Sequence, residues 1–166
     1  MNFRHFWTVT FLFALLTGGQ LMAQVNEPAG SANSEMNEAR VLLRFGREDI
    51  VREEMRFSED EAVAFWPLYD SYQSELLQVN NRYADLLTNY LNAYRAGEVS
   101  EKMANQIVDD YLEIENDILK IKQKYLQDFR NALPARKAAR FYQLENKMDA
   151  ELKSQLAMII PLIDPV

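Results

Sequence analysis

The sequence predicts an all-α protein built from four long amphipathic helices. The clearest evidence is one segment in which apolar and aromatic residues recur in alternating steps of four and three, a heptad stripe on one helix. The stripe consists of Phe65, Tyr69, Tyr72, Leu76, Val79, Tyr83, Leu86 and Tyr90. About 25 residues at about 1.5 Å each make a rod nearly 40 Å long. Such a rod cannot cover its own stripe, so other helices of this chain or a second molecule have to cover it.

The first 23 residues predict a cleavable secretory signal peptide. Arg4 and His5 precede an apolar run of eleven residues, Phe6 to Leu16, and the small residue Ala23 stands at the expected cleavage position. Eleven apolar residues are too few to span a bilayer, which needs about 20. We therefore expect cleavage after Ala23 and release into the periplasm of a Gram-negative bacterium, with no stable membrane insertion afterwards. The absence of cysteine argues against a lipid-anchored form.

The charge of the chain argues against nucleic acid as a partner. Removal of residues 1–23 takes away one arginine and no acid, which leaves 17 basic against 25 acidic residues and a net charge of −8. A strongly acidic protein repels phosphate backbones. Disulfides are favoured in an oxidising compartment, but a chain without cysteine cannot form them. Stability must therefore come from helix packing.

The rest of the chain divides into a flexible leader at 24–34, a single helical domain at 35–160 and a tail at 161–166. A first helix is predicted from about residue 34 to residue 56. Ser58 and Glu61 then form a capping box that starts the second helix at Glu59. Pro67 predicts a kink or a broken turn in this helix, and Gly97 suits its C-cap.

The third and fourth helices are marked by similar signals. Ser100 caps a third helix that runs to about Ala132. Its main stripe consists of Met103, Ile107, Tyr111, Ile114, Ile118, Ile121, Tyr125 and Phe129, and a second heptad row consists of Leu112, Leu119 and Leu126. Two apolar rows on adjacent flanks predict that this helix contacts two neighbours. Pro134 suits the first position of the fourth helix, and Pro161 ends it.

The starts of the second and fourth helices are similar. Phe57-Ser58 followed by Ala62, Phe65, Trp66 and Leu68 aligns with Leu133-Pro134 followed by Ala138, Phe141, Tyr142 and Leu144, always 76 residues apart. A cysteine-free, exported four-helix chain with two such starts resembles the periplasmic Spy/CpxP-like family, which repeats an LTxxQ motif. Ser58 and Pro134 stand at the Thr position, and Glu61 and Lys137 at the Gln position. The resemblance implies bent helical hairpins in a cradle-shaped antiparallel homodimer whose concave face holds unfolded proteins or a sensor domain.

The residues offer little to catalysis or to metal binding. Once the signal peptide is removed, the chain has no histidine and no cysteine, so imidazole and thiolate chemistry cannot occur. Zinc, nickel or cobalt sites built from those ligands are excluded for the same reason, and no glycine-rich phosphate loop occurs. We expect no enzyme activity, no metal site and no cofactor.

A binding surface is the remaining hypothesis. Arg40, Arg44 and Arg47 fall on one face of the first helix beside Leu43, and Trp66 lies next to the expected kink. A mixed basic and apolar strip could hold unfolded or partner proteins. The alternative is that these arginines pair with acids on neighbouring helices. The preferred function is ATP-independent, chaperone-like binding of unfolded or stress-damaged envelope proteins; a regulatory partner of an envelope stress sensor and a structural coiled-coil adaptor are the alternatives.

Overall fold

A computed structural model describes residues 46–165, and over this range the protein is all-α, as predicted. A helix covering residues 46–55, here α1, is followed by α2 (Glu59–Ala96), α3 (Glu101–Ala132) and α4 (Ala135–Ile159). The chain divides between Glu54 and Met55 into two compact units. The predicted signal peptide (1–23), leader (24–34) and first part of the first helix lie outside the described residues.

The start of α2 confirms the predicted capping box. The Ser58 N–H donates to Glu61 Oε2 at 2.8 Å, and the Glu61 N–H donates to Ser58 Oγ at 3.3 Å. Two otherwise unpaired N–H groups are thereby satisfied. Just before this cap, Arg56 has a φ of 46°, an uncommon conformation for a residue with a side chain.

Pro67 lies inside α2 without interrupting it. The helix continues from Glu59 to Ala96, so the predicted alternative of a broken turn is wrong. Because proline has no backbone N–H, residue 67 cannot donate the helical hydrogen bond to the carbonyl of Val63. Val63 and Pro67 are both exposed, so water can satisfy the carbonyl that loses its partner. Packing elsewhere along this 38-residue helix outweighs the loss of one bond.

The connection between α2 and α3 has the predicted caps. Gly97 adopts a left-handed conformation with φ 69° and donates its N–H to the end of α2, and the Ser100 hydroxyl accepts from the Met103 N–H at 3.2 Å. The two helices pack against each other in antiparallel directions. Arg82 of α2 meets Asp117 of α3 at 2.7 Å, whereas Phe65, earlier in α2, meets Phe129, later in α3.

The core is an aromatic cluster where α2, α3 and α4 meet. Phe65, Phe129 and Phe141 are fully buried, with ring centroids 5.4 Å, 5.1 Å and 4.6 Å apart in the three pairs. Tyr72 packs edge-on against Phe129 at 5.6 Å. Apart from Tyr83 and Leu86, which are half-buried, the predicted α2 stripe is buried. Edge-to-face aromatic contacts of this kind stabilise a core by about 0.5–1.5 kcal/mol per pair beyond area burial.

The fourth helix starts one residue later than predicted. Pro134 is its N-cap and not its first helical residue, and no side chain caps this end. Beyond Ile160, the chain is extended, and Pro161 accepts a 2.7 Å hydrogen bond from the hydroxyl of Tyr90 on α2. Leu162 and Ile163 then point into solvent. The tail is therefore docked at its first residues and exposed further on.

Candidate binding surface

Two of the five predicted site residues, Arg47 and Trp66, lie within the described residues. Arg40, Leu43 and Arg44 lie outside the described residues. Arg47 is half-buried on α1, in the first unit, and Trp66 is half-buried on α2, in the second. The Trp66 ring lies edge-on to Phe65 at 5.2 Å and to Tyr69 at 5.5 Å. Trp66 thus belongs to the margin of the aromatic core.

A different surface is exposed on α3. Val108, Leu112 and Leu119 are 56%, 59% and 53% exposed, although each is a large aliphatic residue. Leu112 and Leu119 belong to the second heptad row, which the sequence assigns to a second neighbouring helix. The predicted contact of α3 with two neighbours is confirmed, since α3 packs on both α2 and α4, but no described helix covers these two leucines. We call the exposed line of α3 that contains these three residues the α3 stripe.

The positions in line along the α3 stripe are uncharged, and exposed charged residues, Asp109, Glu113 and Lys120, lie beside them. Successive exposed positions along it are occupied by Asn105, Val108, Leu112, Asn116, Leu119 and Gln123. The spacing of three and four residues keeps these side chains on one side of the helix. A row of neutral and aliphatic side chains on an acidic protein is easily desolvated. Charge depletion of this kind is typical of the centre of protein interfaces.

An open cleft of about 390 Å³ lies between α2 and α3 beside the stripe. It is lined by Glu75, Val79, Asp117, Lys120, Ile121 and Lys124. Its charged groups pair across or along the cleft, with Lys124 Nζ 2.5 Å from Glu75 Oε1 and Lys120 Nζ 3.0 Å from Asp117 Oδ1. The cleft thus offers aliphatic surface and both signs of charge to a bound chain.

Hydrogen bonds hold the carboxylates of the cleft in their charged form. The bond from Lys124, followed by that from the Tyr125 hydroxyl at 2.7 Å, keeps the pKa of Glu75 below its ordinary value. Bonds from Arg82 and Lys120 lower the pKa of Asp117 in the same way. Burial, together with the bond to Glu75, raises the pKa of Tyr125 to about 12. At neutral pH both acids are ionised and the phenol is protonated, so neither acid is poised to donate a proton.

Metal-binding groups are not assembled in the part of the chain that the structure describes. No group of three or more histidine, cysteine, aspartate or glutamate side chains within residues 46–165 could hold a metal ion. The cleft acids have lowered pKa values, whereas a general acid at neutral pH needs a raised one.

One buried polar group was not predicted from the sequence. Glu145 on α4 is 1% exposed, and its Oε2 accepts hydrogen bonds from the Tyr72 hydroxyl and the Gln73 amide, both at 3.4 Å. A buried polar group requires partners, and these contacts tie α4 to the middle of α2. The only sequence signal is that Glu145 lies next to Leu144 in the apolar stripe of α4.

No protein-family model, curated protein or solved structure matches this chain. The described helices include none that is both long enough and apolar enough to cross a membrane.

Proposed function

We propose that this protein is an exported, ATP-independent binding protein that holds unfolded or stress-damaged polypeptides in the periplasm. The observation that supports this most directly is the α3 stripe. Val108, Leu112 and Leu119 are each more than half exposed, and exposed apolar surface rimmed by polar residues is typical of sites that bind other proteins. The signal-peptide pattern of residues 1–23 supports export.

The proposed mechanism is weak contact at several points. An unfolded segment places apolar side chains on Leu112 and Leu119 and in the adjoining cleft, while its charged groups exchange with the ion pairs at the cleft rim. Exposed ion pairs contribute only about 0–1 kcal/mol each, so they can open and close at little cost. Because no contact is strong, a client dissociates without energy input.

An aggregation assay with a chemically denatured client tests the proposal. The chain without residues 1–23 should suppress client aggregation, and a Leu112→Ser, Leu119→Ser double variant should suppress it less. Val63→Ser is the matched control, since Val63 is 77% exposed but lies on α2. Equal suppression by the double variant and the parent would overturn the role of the α3 stripe.

A second variant in the same assay tests the first-helix surface. Charge reversal at Arg40, Arg44 and Arg47, each to Glu, should weaken suppression if these arginines hold client carboxylates. If only this variant fails, the binding surface lies on the first helix and not on α3. If the parent itself does not suppress aggregation, the protein is not a general chaperone. A regulator that binds one dedicated partner then becomes the better hypothesis.

A structural coiled-coil adaptor is the second candidate. The observation that favours it is the seven-residue spacing of Leu112, Leu119 and the half-buried Leu126, which is the spacing of a coiled-coil seam. An adaptor would associate through α3 and show no suppression of aggregation at any ratio to the client.

A further inference from the structure

We infer that residues 150–165, the end of α4 and the tail after it, form a strap that opens from α2 and α3 and uncovers a surface lined by tyrosines. The first half of α4 is anchored in the core, since Phe141 and Met148 are both buried. Among the side chains of α4 that the structure describes, Met148 is the last buried one. Leu152 and Leu156 continue the apolar stripe of α4 but are only half-buried. The packing of α4 therefore weakens along its length.

Polar contacts tie the strap to the other two helices. Lys153 donates to both oxygens of the Glu115 carboxylate on α3, each at 2.8 Å. The two side chains are 49% and 33% exposed, so water and salt screen their attraction. The Tyr90 hydroxyl on α2 donates to the Pro161 carbonyl at 2.7 Å. These contacts can break one at a time, whereas the aromatic packing around Phe141 involves several rings at once. The strap can therefore detach while the first half of α4 stays in place.

The end of α4 also lacks features that stabilise a helix terminus. Its last turn contains no basic residue to interact with the negative end of the helix dipole. Its C-cap, Ile160, is extended, and Pro161 follows directly. The end of α2, by contrast, has Arg95 in its last turn and the left-handed Gly97 as its cap. Helix ends with few stabilising contacts open locally while the core stays folded.

The surface beneath the strap is lined by tyrosines. Tyr83 and Tyr111 lie 6.2 Å apart between ring centroids, and Tyr90 is buried under the tail. The pKa of Tyr83 is raised from its ordinary value by burial and by Tyr111 and is lowered in part by the charge of Lys153, which places Lys153 beside this pair. The core at the other end of α4 is built from phenylalanines. A tyrosine hydroxyl can bind water, so a tyrosine surface is suited to being covered and wetted in turn.

Opening of the strap would enlarge the surface available to a bound polypeptide. Tyr111 directly precedes Leu112, so the tyrosine-lined surface adjoins the α3 stripe. Tyrosine is enriched at the centres of protein interfaces. The opening itself does not depend on the proposed function, and the measurements below contain no client. The strap and client binding can therefore fail separately.

Amide hydrogen exchange of the chain lacking residues 1–23 tests the strap. We expect the amides of residues 152–159 to exchange about tenfold or more faster than those of residues 139–148. Tyr90→Phe removes the hydroxyl that holds Pro161 and should accelerate exchange in the strap about fivefold further, which corresponds to one hydrogen bond of about 1 kcal/mol. Tyr142→Phe is the matched control. It removes a 2.9 Å bond from the Tyr142 hydroxyl to the Lys122 carbonyl in the anchored half of α4, and it should leave exchange in the strap unchanged.

Iodination of tyrosines, located by mass spectrometry, tests whether the surface is uncovered. Tyr83 should react faster in Tyr90→Phe than in the parent, relative to Tyr142, which is also half-buried but lies on the anchored half of α4. Equal exchange in both halves of α4, or equal acceleration of both halves by Tyr90→Phe, would overturn the strap. Acceleration of the strap by Tyr142→Phe to the same extent would overturn it as well. Faster exchange with no change at Tyr83 would show a helix end that frays in place and would overturn the uncovered tyrosine surface.

Discussion

Glu61 and Lys137 form an ion pair, and they occupy equivalent positions of the two similar helix starts, 76 residues apart. Phe65 and Phe141, which are also 76 residues apart, meet edge to face with centroids 5.1 Å apart. Contacts between equivalent residues characterise a twofold-symmetric interface. The starts of α2 and α4 therefore pack against each other as two similar units within one chain.

Lys137→Met should lower the urea midpoint of unfolding by more than Arg136→Met does. The Lys137 ammonium contacts the Glu61 carboxylate, donates to the Arg56 carbonyl at 3.1 Å and lies 5.9 Å from the centroid of the Phe57 ring. Arg136 lies in the same first turn of α4 but is exposed, so its loss removes the same charge from the same helix end. Equal midpoints in the two variants, measured by circular dichroism, would show that the Glu61 contact adds nothing.

The same ion pair predicts a dependence of stability on pH. The bond from Lys137, followed by that from the Ser58 backbone, lowers the pKa of Glu61 from its ordinary value of 4.5. A carboxyl with a lowered folded-state pKa stabilises the fold above its ordinary pKa, and this contribution is lost as the pH falls through the lower value. The difference in urea midpoint between the parent and Glu61→Gln should therefore be largest at neutral pH and shrink below pH 4.5. A difference independent of pH would contradict this assignment.

The sequence predicted the helix ends well because local chemistry determines them. Ser58 with Glu61, Gly97 and Ser100 each satisfy backbone groups within a few residues, so their roles follow from spacing alone. Pro134 was misplaced by one position because a proline fits both the N-cap and the first turn. Pro67 was expected to disturb α2 more than it does, since its exposed position was not evident from the sequence.

The surface could not be predicted in the same way. Leu112 and Leu119 have the same heptad spacing whether another helix covers them or not, and only the packed structure shows that they are exposed. The burial of Glu145 depends on Tyr72 and Gln73, more than 70 residues away in sequence. Glu61 and Lys137 occupy equivalent positions in the two similar helix starts, which lie 76 residues apart. That similarity can be seen in the sequence, but it does not predict that the two residues contact each other.

Two glycine substitutions should change stability in opposite directions. Gly97→Ala should destabilise the protein by about 1 kcal/mol, because φ at this position is 69° and a side chain disfavours that conformation. Gly46→Ala should stabilise α1 by up to about 1 kcal/mol, because alanine is the better helix former. An added Cβ meets no atom within 4 Å at either site, so backbone conformation alone distinguishes them. Thermal unfolding of both variants tests this, and changes of the same sign would contradict it.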